Sequence, residues 1–225
     1  MNNSIKYLNN YAFKKPDICI ILGSGLSSFI NKINNKTIIN YKDIPGFSST
    51  GVKGHKGQLI IGEINKSSIM CANGRFHYYE GHSFKKVSKI IEIFNYYNPK
   101  LCIITNSSGC LDLNWRLGTL MLANKFIDYS FLNSSNPKFH KFKSKKYFTK
   151  ILKIANDNNI EINKGAYTFT TGPVYETAAE INDIIKLGGK AVGMSTFPEF
   201  LKCEQLNMNN IIISCLTNYG AGLLA

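Results

Sequence analysis

The chain has 225 residues, 44% of them hydrophobic, enough to bury the core of a single α/β domain spanning 1–225. Its 27 lysines and arginines against 14 aspartates and glutamates leave a net charge of +13, but no nucleic-acid recognition motif accompanies that charge, so no nucleic-acid partner is expected. No apolar run reaches about 18 residues, which excludes a helical membrane span, and the polar, Asn-rich N-terminal segment lacks the apolar stretch of a secretory signal, so a cytoplasmic protein is expected.

Hydrophobic runs alternate along the chain with amphipathic stretches. Residues 17–22 read as a buried strand that ends in the turn Gly23-Ser24-Gly25. Residues 59–62 and 68–72 read as paired strands, and 84–96 has helical spacing with Val87, Ile90, Ile91 and Phe94 on one face. Strands are expected at 101–104, 119–123, 166–169, 191–192 and 211–216, and helices at 147–156, 176–187 and from Pro198 onward. The polar segment 131–146 has no periodicity and reads as a surface loop. Within 138–150 lysines cluster with Phe and Tyr between them. This alternation predicts an α/β fold, a mixed and mostly parallel central sheet with helices on both faces.

In such sheets ligands bind at the carboxyl ends of strands, and the polar clusters follow the expected strands. Gly23-Ser24-Gly25 offers backbone amides and a hydroxyl to an anion, or is simply a tight turn. Arg75, His77 and Tyr79 fall two apart, so an extended segment puts them on one side. The arginine fork suits phosphate oxygens and the tyrosine offers a wall for a sugar. The alternative is the polar outer face of an edge strand. His55 lies in a glycine-flanked loop, solvated or able to swing over an anion. Glu176 stands at a loop-to-helix junction, either as an acid favoured by the helix dipole or as an acceptor for a heterocycle N–H. Met194 and Ser195 follow a short strand, where they read equally as core and cap or as sugar and oxyanion contacts.

None of the six cysteines forms a C-x-x-C pair, and the four in apolar, strand-like runs read as reduced, buried small hydrophobes. No metal site is expected.

Taken together, the segments Ile21-Leu22-Gly23-Ser24-Gly25-Leu26, Gly54-His55-Lys56-Gly57, Gly74-Arg75-Phe76-His77-Tyr78-Tyr79-Glu80-Gly81, Thr105-Asn106-Ser107-Ser108-Gly109, Gly172-Pro173-Val174-Tyr175-Glu176-Thr177, Val192-Gly193-Met194-Ser195-Thr196-Phe197-Pro198-Glu199 and Leu216-Thr217-Asn218 closely resemble the trimeric, 6-oxopurine type of purine nucleoside phosphorylase. That resemblance implies a homotrimer that cleaves the N-glycosidic bond of purine (deoxy)ribonucleosides with inorganic phosphate as co-substrate, in purine salvage, with no metal or organic cofactor. It assigns phosphate to Ser24, His55, Arg75, His77, Ser108 and Ser195, ribose to Tyr79 and Met194, and the base to Tyr175, Glu176 and Asn218. Asn218, Glu176 and His77 would be the catalytic groups.

The chain departs from the family pattern at several places, among them a shortened, lysine-rich 131–147 loop. Ser108 replaces a usual alanine, where the backbone N–H is the binding group. Cys110 replaces a glycine, which is expected to strain a turn. The resemblance also implies a shortened C-terminus, so the alternative expectation is a weakly active or inactive relative that binds purine or phosphate.

Overall fold

The computed structural model describes residues 2–48 and 56–224. The first of its strands, β1 (Ile18–Leu22), is almost wholly buried, as its unbroken apolar run requires. It pairs in parallel with β4 (Ser67–Asn73), Ile18 opposite Ile69, and with β5 (Leu101–Cys110), Ile18 opposite Leu101. β3 (Gln58–Ile64) and β4 form the expected pair, which is antiparallel. β2 (Asn34–Asn40) extends that pair as an antiparallel edge.

β1 to β4 and the first half of β5 belong to a first compact unit, residues 2–105 with 198–210. It also carries α1 (Asn2–Leu8), α2 (Phe84–Val87) and α3 (Lys89–Tyr96). The helical spacing over 84–96 is therefore realised as two helices that meet at Ser88, whose hydroxyl donates back to the Phe84 carbonyl at 2.7 Å. One core cluster joins Ile20, Leu22, Ile33, Ile60, Ile69 and Cys71, with Leu26, Phe29 and Ile103 packed against it.

The second compact unit comprises residues 106–197 and 211–224. Here β6 (Leu120–Asp128), β8 (Ile162–Phe169) and β9 (Gly189–Gly193) run parallel in that order. The C-terminal half of β5 pairs antiparallel with β9, Gly109 opposite Val192, and β10 (Asn210–Tyr219) pairs antiparallel with β6. β10 also pairs with β5, where Thr217 Oγ1 donates to the Ser108 carbonyl at 3.3 Å. α4 (Phe148–Asp157) and α5 (Ala178–Lys186) complete this unit. Ile181 and Ile184 of α5 pack with Leu111 and Val192.

The chain thus has the expected α/β fold with a mixed sheet. Parallel pairs link β1 with its neighbours and β6, β8 and β9 with each other; the remaining pairs of assigned direction are antiparallel.

Three local expectations change. The segment 131–146 contains β7 (Lys138–Lys141), which pairs antiparallel with β6, Phe126 opposite His140. Its lysines mask the strand in the sequence and suit an edge, while Phe142, just beyond it, is buried 5.1 Å from Phe148 and 6.0 Å from Phe126 between ring centroids. The polar cluster 105–109 does not follow a strand but lies within β5, and Thr217 and Asn218 lie within β10. Lastly, Cys110 sits in β5 opposite Ala191 and is absent from the residues with positive φ. The position accepts a side chain without the turn strain expected of it. All six cysteines are free and five are buried, and desolvation raises the Cys71 thiol to about 12. No helix among the described residues is long and apolar enough to cross a membrane.

Candidate active site

In the first unit the polar groups meet on Thr105. Its hydroxyl accepts from the Gly23 amide at 3.0 Å and donates to the Ile21 carbonyl at 2.9 Å. Its own carbonyl accepts from Arg75 Nη2 at 2.7 Å. One residue near the middle of β5 therefore ties the Gly23-Ser24-Gly25 turn to the arginine that follows β4. Ser24 itself is exposed at this turn.

Arg75 is only 3% exposed, and Glu199 at the start of α6 (Phe197–Gln205) is fully buried. Glu199 Oε1 lies 3.2 Å from Arg75 Nε. A guanidinium so withdrawn from water needs a compensating charge, and Glu199 supplies it. The preceding carbonyl of Gly74 accepts from the buried Tyr41 hydroxyl at 2.9 Å, which holds the turn after β4.

The expected extended run from Arg75 to Tyr79 bends into a helical turn at Tyr78–Glu80. The reason is local. The Glu80 carboxylate accepts from the His77 amide at 2.7 Å and lies 3.4 Å from His77 Nδ1. His77 is buried, and Tyr79 stacks on its ring, centroids 4.7 Å apart with planes 19° from parallel. His77 and Tyr79 are thus brought together by stacking rather than by strand alternation. β4 lies between β3 and β1, so the edge-strand reading of this cluster does not hold. His55 lies outside the described residues.

The second unit holds the other candidates. Ser108 is buried in β5. Gly109 beside it lies against Val192 and Asn218: a Cβ there would press on Val192 Cγ1 at 3.2 Å and touch Asn218 Nδ2 at 3.6 Å. The Asn218 amide nitrogen donates to the Tyr219 carbonyl at 3.1 Å, and its oxygen accepts from the Thr217 hydroxyl at 3.0 Å. Both ends of the side-chain amide are thereby oriented.

Met194 and Ser195 are half-buried just after β9. The Ser195 carbonyl accepts from the Tyr167 hydroxyl at 3.2 Å. Thr196 has a φ of 74°, a left-handed conformation that a β-branched residue adopts only under constraint. The Phe197 amide donates to the Ser195 carbonyl at 2.8 Å and closes a tight turn about Thr196, while buried Asn106 of β5 donates from Nδ2 to Thr196 Oγ1 at 3.0 Å.

Glu176 precedes α5 rather than opening it. Thr177 is the N-cap and forms a reciprocal box with Glu180, Thr177 N to Glu180 Oε2 at 2.7 Å and Glu180 N to Thr177 Oγ1 at 3.3 Å. The Thr177 amide, and its hydroxyl at 2.8 Å, donate to that carboxylate and hold it below the usual range. The dipole reading of Glu176 therefore gives way: its carboxylate accepts instead from the Thr170 hydroxyl at 2.6 Å. Tyr175 beside it is 78% exposed. Glu199, Thr105, Thr170 and Asn106 carry no role in the sequence reading; the first two and Asn106 act through partners distant along the chain, and Thr170 through Glu176, six residues on.

Among the described residues no group of three or more His, Cys, Asp or Glu is placed to hold a metal ion.

The arrangement corresponds to known proteins across nearly its whole length. The family model described as the phosphorylase superfamily matches residues 17–224. The chain belongs to that superfamily, a class of enzymes. Purine nucleoside phosphorylase 1 of Bacillus subtilis (strain 168) is 36% identical over 222 residues, covering 94% of this chain and 82% of the relative. The purine nucleoside phosphorylase of Bos taurus is 30% identical over 233 residues, covering 96% and 80%. A crystal structure of a purine nucleoside phosphorylase in complex with ribose-1-phosphate superposes with a TM-score of 0.85 at 27% identity, covering 98% of this chain and 87% of that one. Isoform 2 of the enzyme from Schistosoma mansoni, in complex with cytosine and ribose-1-phosphate, gives a TM-score of 0.85 at 30% identity, covering 97% and 83%. Within the superfamily, this chain's family is that of the purine nucleoside phosphorylases.

Proposed function

We propose that this enzyme cleaves 6-oxopurine ribonucleosides and deoxyribonucleosides with inorganic phosphate, releasing the free base and the pentose 1-phosphate. The observation that carries the reading is the meeting on Thr105 of the Gly23-Ser24-Gly25 turn and the Arg75 guanidinium. Backbone amides, a hydroxyl and a fixed cationic fork are the donor set a tetrahedral oxyanion requires.

In this reading Ser24, His55, Arg75, His77, Ser108 and Ser195 hold phosphate, with the backbone amide as the donor at Ser108. Tyr79 and Met194 contact the pentose. Tyr175 covers the base, Glu176 accepts from its N1–H, and Asn218 hydrogen-bonds N7 and the 6-oxo group. Cleavage of the C1′–N9 bond leaves negative charge on the purine and positive character on C1′. Asn218 donates to the first, and a lost donor of this kind costs about 3 kcal/mol of transition-state stabilisation, while Glu176 orients the base through N1–H. Phosphate, placed by the groups including His77, offsets the second, attacks C1′ and takes the pentose. Holding it beside the sugar removes much of the entropic barrier. The steps need no metal or organic cofactor, and the reading includes a homotrimer acting in purine salvage in the cytoplasm.

The test is release of base from inosine, guanosine, xanthosine and their 2′-deoxy forms, with and without phosphate and after chelation. Phosphate-dependent turnover that survives chelation supports the reading. Turnover with water alone, or binding of base and phosphate without turnover, overturns it; the second result would favour the inactive relative.

A further inference from the structure

Glu176 is held by a residue that the reading above does not use. Thr170, 8% exposed, follows β8 and is anchored by its amide, which donates to the Gly193 carbonyl at 3.1 Å. Its hydroxyl donates to Glu176 Oε1 at 2.6 Å, the length of a charge-assisted O–H···O⁻ bond. The neighbouring helix start makes no claim on Glu176, because Thr177 and Glu180 satisfy each other. The carboxylate is therefore oriented from the strand side alone. Among the described residues Oε1 is occupied by Thr170 and Oε2 carries no hydrogen bond from the protein.

Two consequences follow from donor counting. A hydroxyl on one oxygen fixes the rotation of the carboxylate, so the other oxygen points in one direction. It also takes one of the roughly four lone-pair positions of the carboxylate, leaving fewer for ligand N–H groups. A 6-oxopurine without a 2-substituent presents one donor on this edge, N1–H. A 2-amino-6-oxopurine presents two, N1–H and the exocyclic amine. A carboxylate with one oxygen engaged matches the first more closely, and a competing donor at the second site is penalised.

We infer that Thr170 is a positioning residue for Glu176 and that its hydroxyl biases the enzyme toward inosine over guanosine. This rests on the proposed role of Glu176 as acceptor for the base.

The test compares Thr170→Val, which keeps the shape and removes the hydroxyl, with Thr170→Ser, which restores it. kcat/KM is measured for inosine and guanosine, alongside binding of free hypoxanthine and guanine by calorimetry. The expected result is a fall of about tenfold in kcat/KM for inosine in Thr170→Val, the size of one hydrogen bond to a charged group. Guanosine falls less, so the guanosine-to-inosine ratio rises several-fold, and Thr170→Ser returns both values toward the parent. An unchanged ratio in Thr170→Val overturns the inference, as does an equal loss in both variants, which would mark Thr170 as a packing residue. If the parent turns over no nucleoside, the proposed reaction fails by itself, and the guanine-to-hypoxanthine affinity ratio in parent and variants still decides the role of Thr170. Absence of binding to either base overturns both.

Discussion

Glu199 Oε1 sits 3.2 Å from Arg75 Nε with both side chains withdrawn from water. The pair is not a source of stability relative to an apolar pair of the same size, since desolvation of two ions offsets their attraction. Its effect is to make a buried guanidinium tolerable at the place where phosphate is proposed to bind. Removing one partner is therefore the costly change. Glu199→Ala is expected to destabilise the fold by about 3–5 kcal/mol, read from urea denaturation at neutral pH. Glu199→Gln keeps the volume and one acceptor, so it should fold and show a raised KM for phosphate with a smaller change in kcat. A Glu199→Ala protein within about 1 kcal/mol of the parent would show that the pair behaves as though solvated.

Asn218 makes a sharper claim about specificity. Its Nδ2 donates to the Tyr219 carbonyl at 3.1 Å, and its Oδ1 accepts from Thr217. Asn218→Asp places a carboxylate oxygen against that carbonyl, where two acceptors repel unless a proton is shared between them. Loss of the donor also removes the hydrogen bond proposed for the 6-oxo group. The expected outcome is a fall in kcat/KM for inosine of roughly two orders of magnitude, with adenosine gaining relative to inosine or activity lost altogether. A nucleoside panel that ranks as in the parent would remove Asn218 from the proposed base site.

These two residues also mark what could be read from the chain alone. Arg75 and Asn218 were visible because each closes an apolar run and sits in an ordered set of polar clusters. β1, β3, β4 and β8 were visible because burial on one or both faces forces apolar composition. β2 was not: its sequence, Asn34–Asn40, is largely polar, and its strand character comes from pairing with β3. Glu199 reads in the sequence as an ordinary acid in the first turn of a helix, and only the fold brings Arg75 against it. Thr170 reads as one more polar residue in a turn until its hydroxyl is seen on Glu176. Side-chain pairing leaves no local periodicity, so the groups proposed to face ligand are legible in the chain and the residues that orient them are not.

Gly193 links this orienting layer to backbone geometry. A Cβ there would collide with the Tyr167 hydroxyl, the group that donates to the Ser195 carbonyl at 3.2 Å. Gly193→Ala must displace either the ring or the Met194-Ser195-Thr196 segment. Tyr167 is fully buried in contact with Phe126, ring centroids 5.2 Å apart, so the segment is expected to move. Overpacking of this kind costs about 1–3 kcal/mol, while kcat/KM should fall further than that loss of folded protein explains. The paired variant Gly193→Ala with Tyr167→Phe removes the hydroxyl that is struck. Partial recovery of activity in the pair is the expected result, and a pair no better than Gly193→Ala alone would place the damage elsewhere.

The last prediction concerns pH and His140. Its ring lies in β7, 5.1 Å from that of Phe197, and burial lowers its pKa below the ordinary value of 6.5. Asp128 acts in the opposite direction and Lys138 reinforces the lowering. The folded state therefore binds the proton less readily than the unfolded chain. Between 6.5 and the lower folded value the unfolded state carries more bound protons, so stability falls as pH falls. Above the unfolded value both states are neutral at this position and its contribution is constant. Replacing His140 with Gln removes the titration. The expected observation is that the variant's unfolding midpoint in denaturant declines less steeply than the parent's as pH drops from 7 towards 5, an interval set by the histidine's ordinary value. Parallel declines in the two proteins would mean that His140 is as well solvated in the fold as in the unfolded chain.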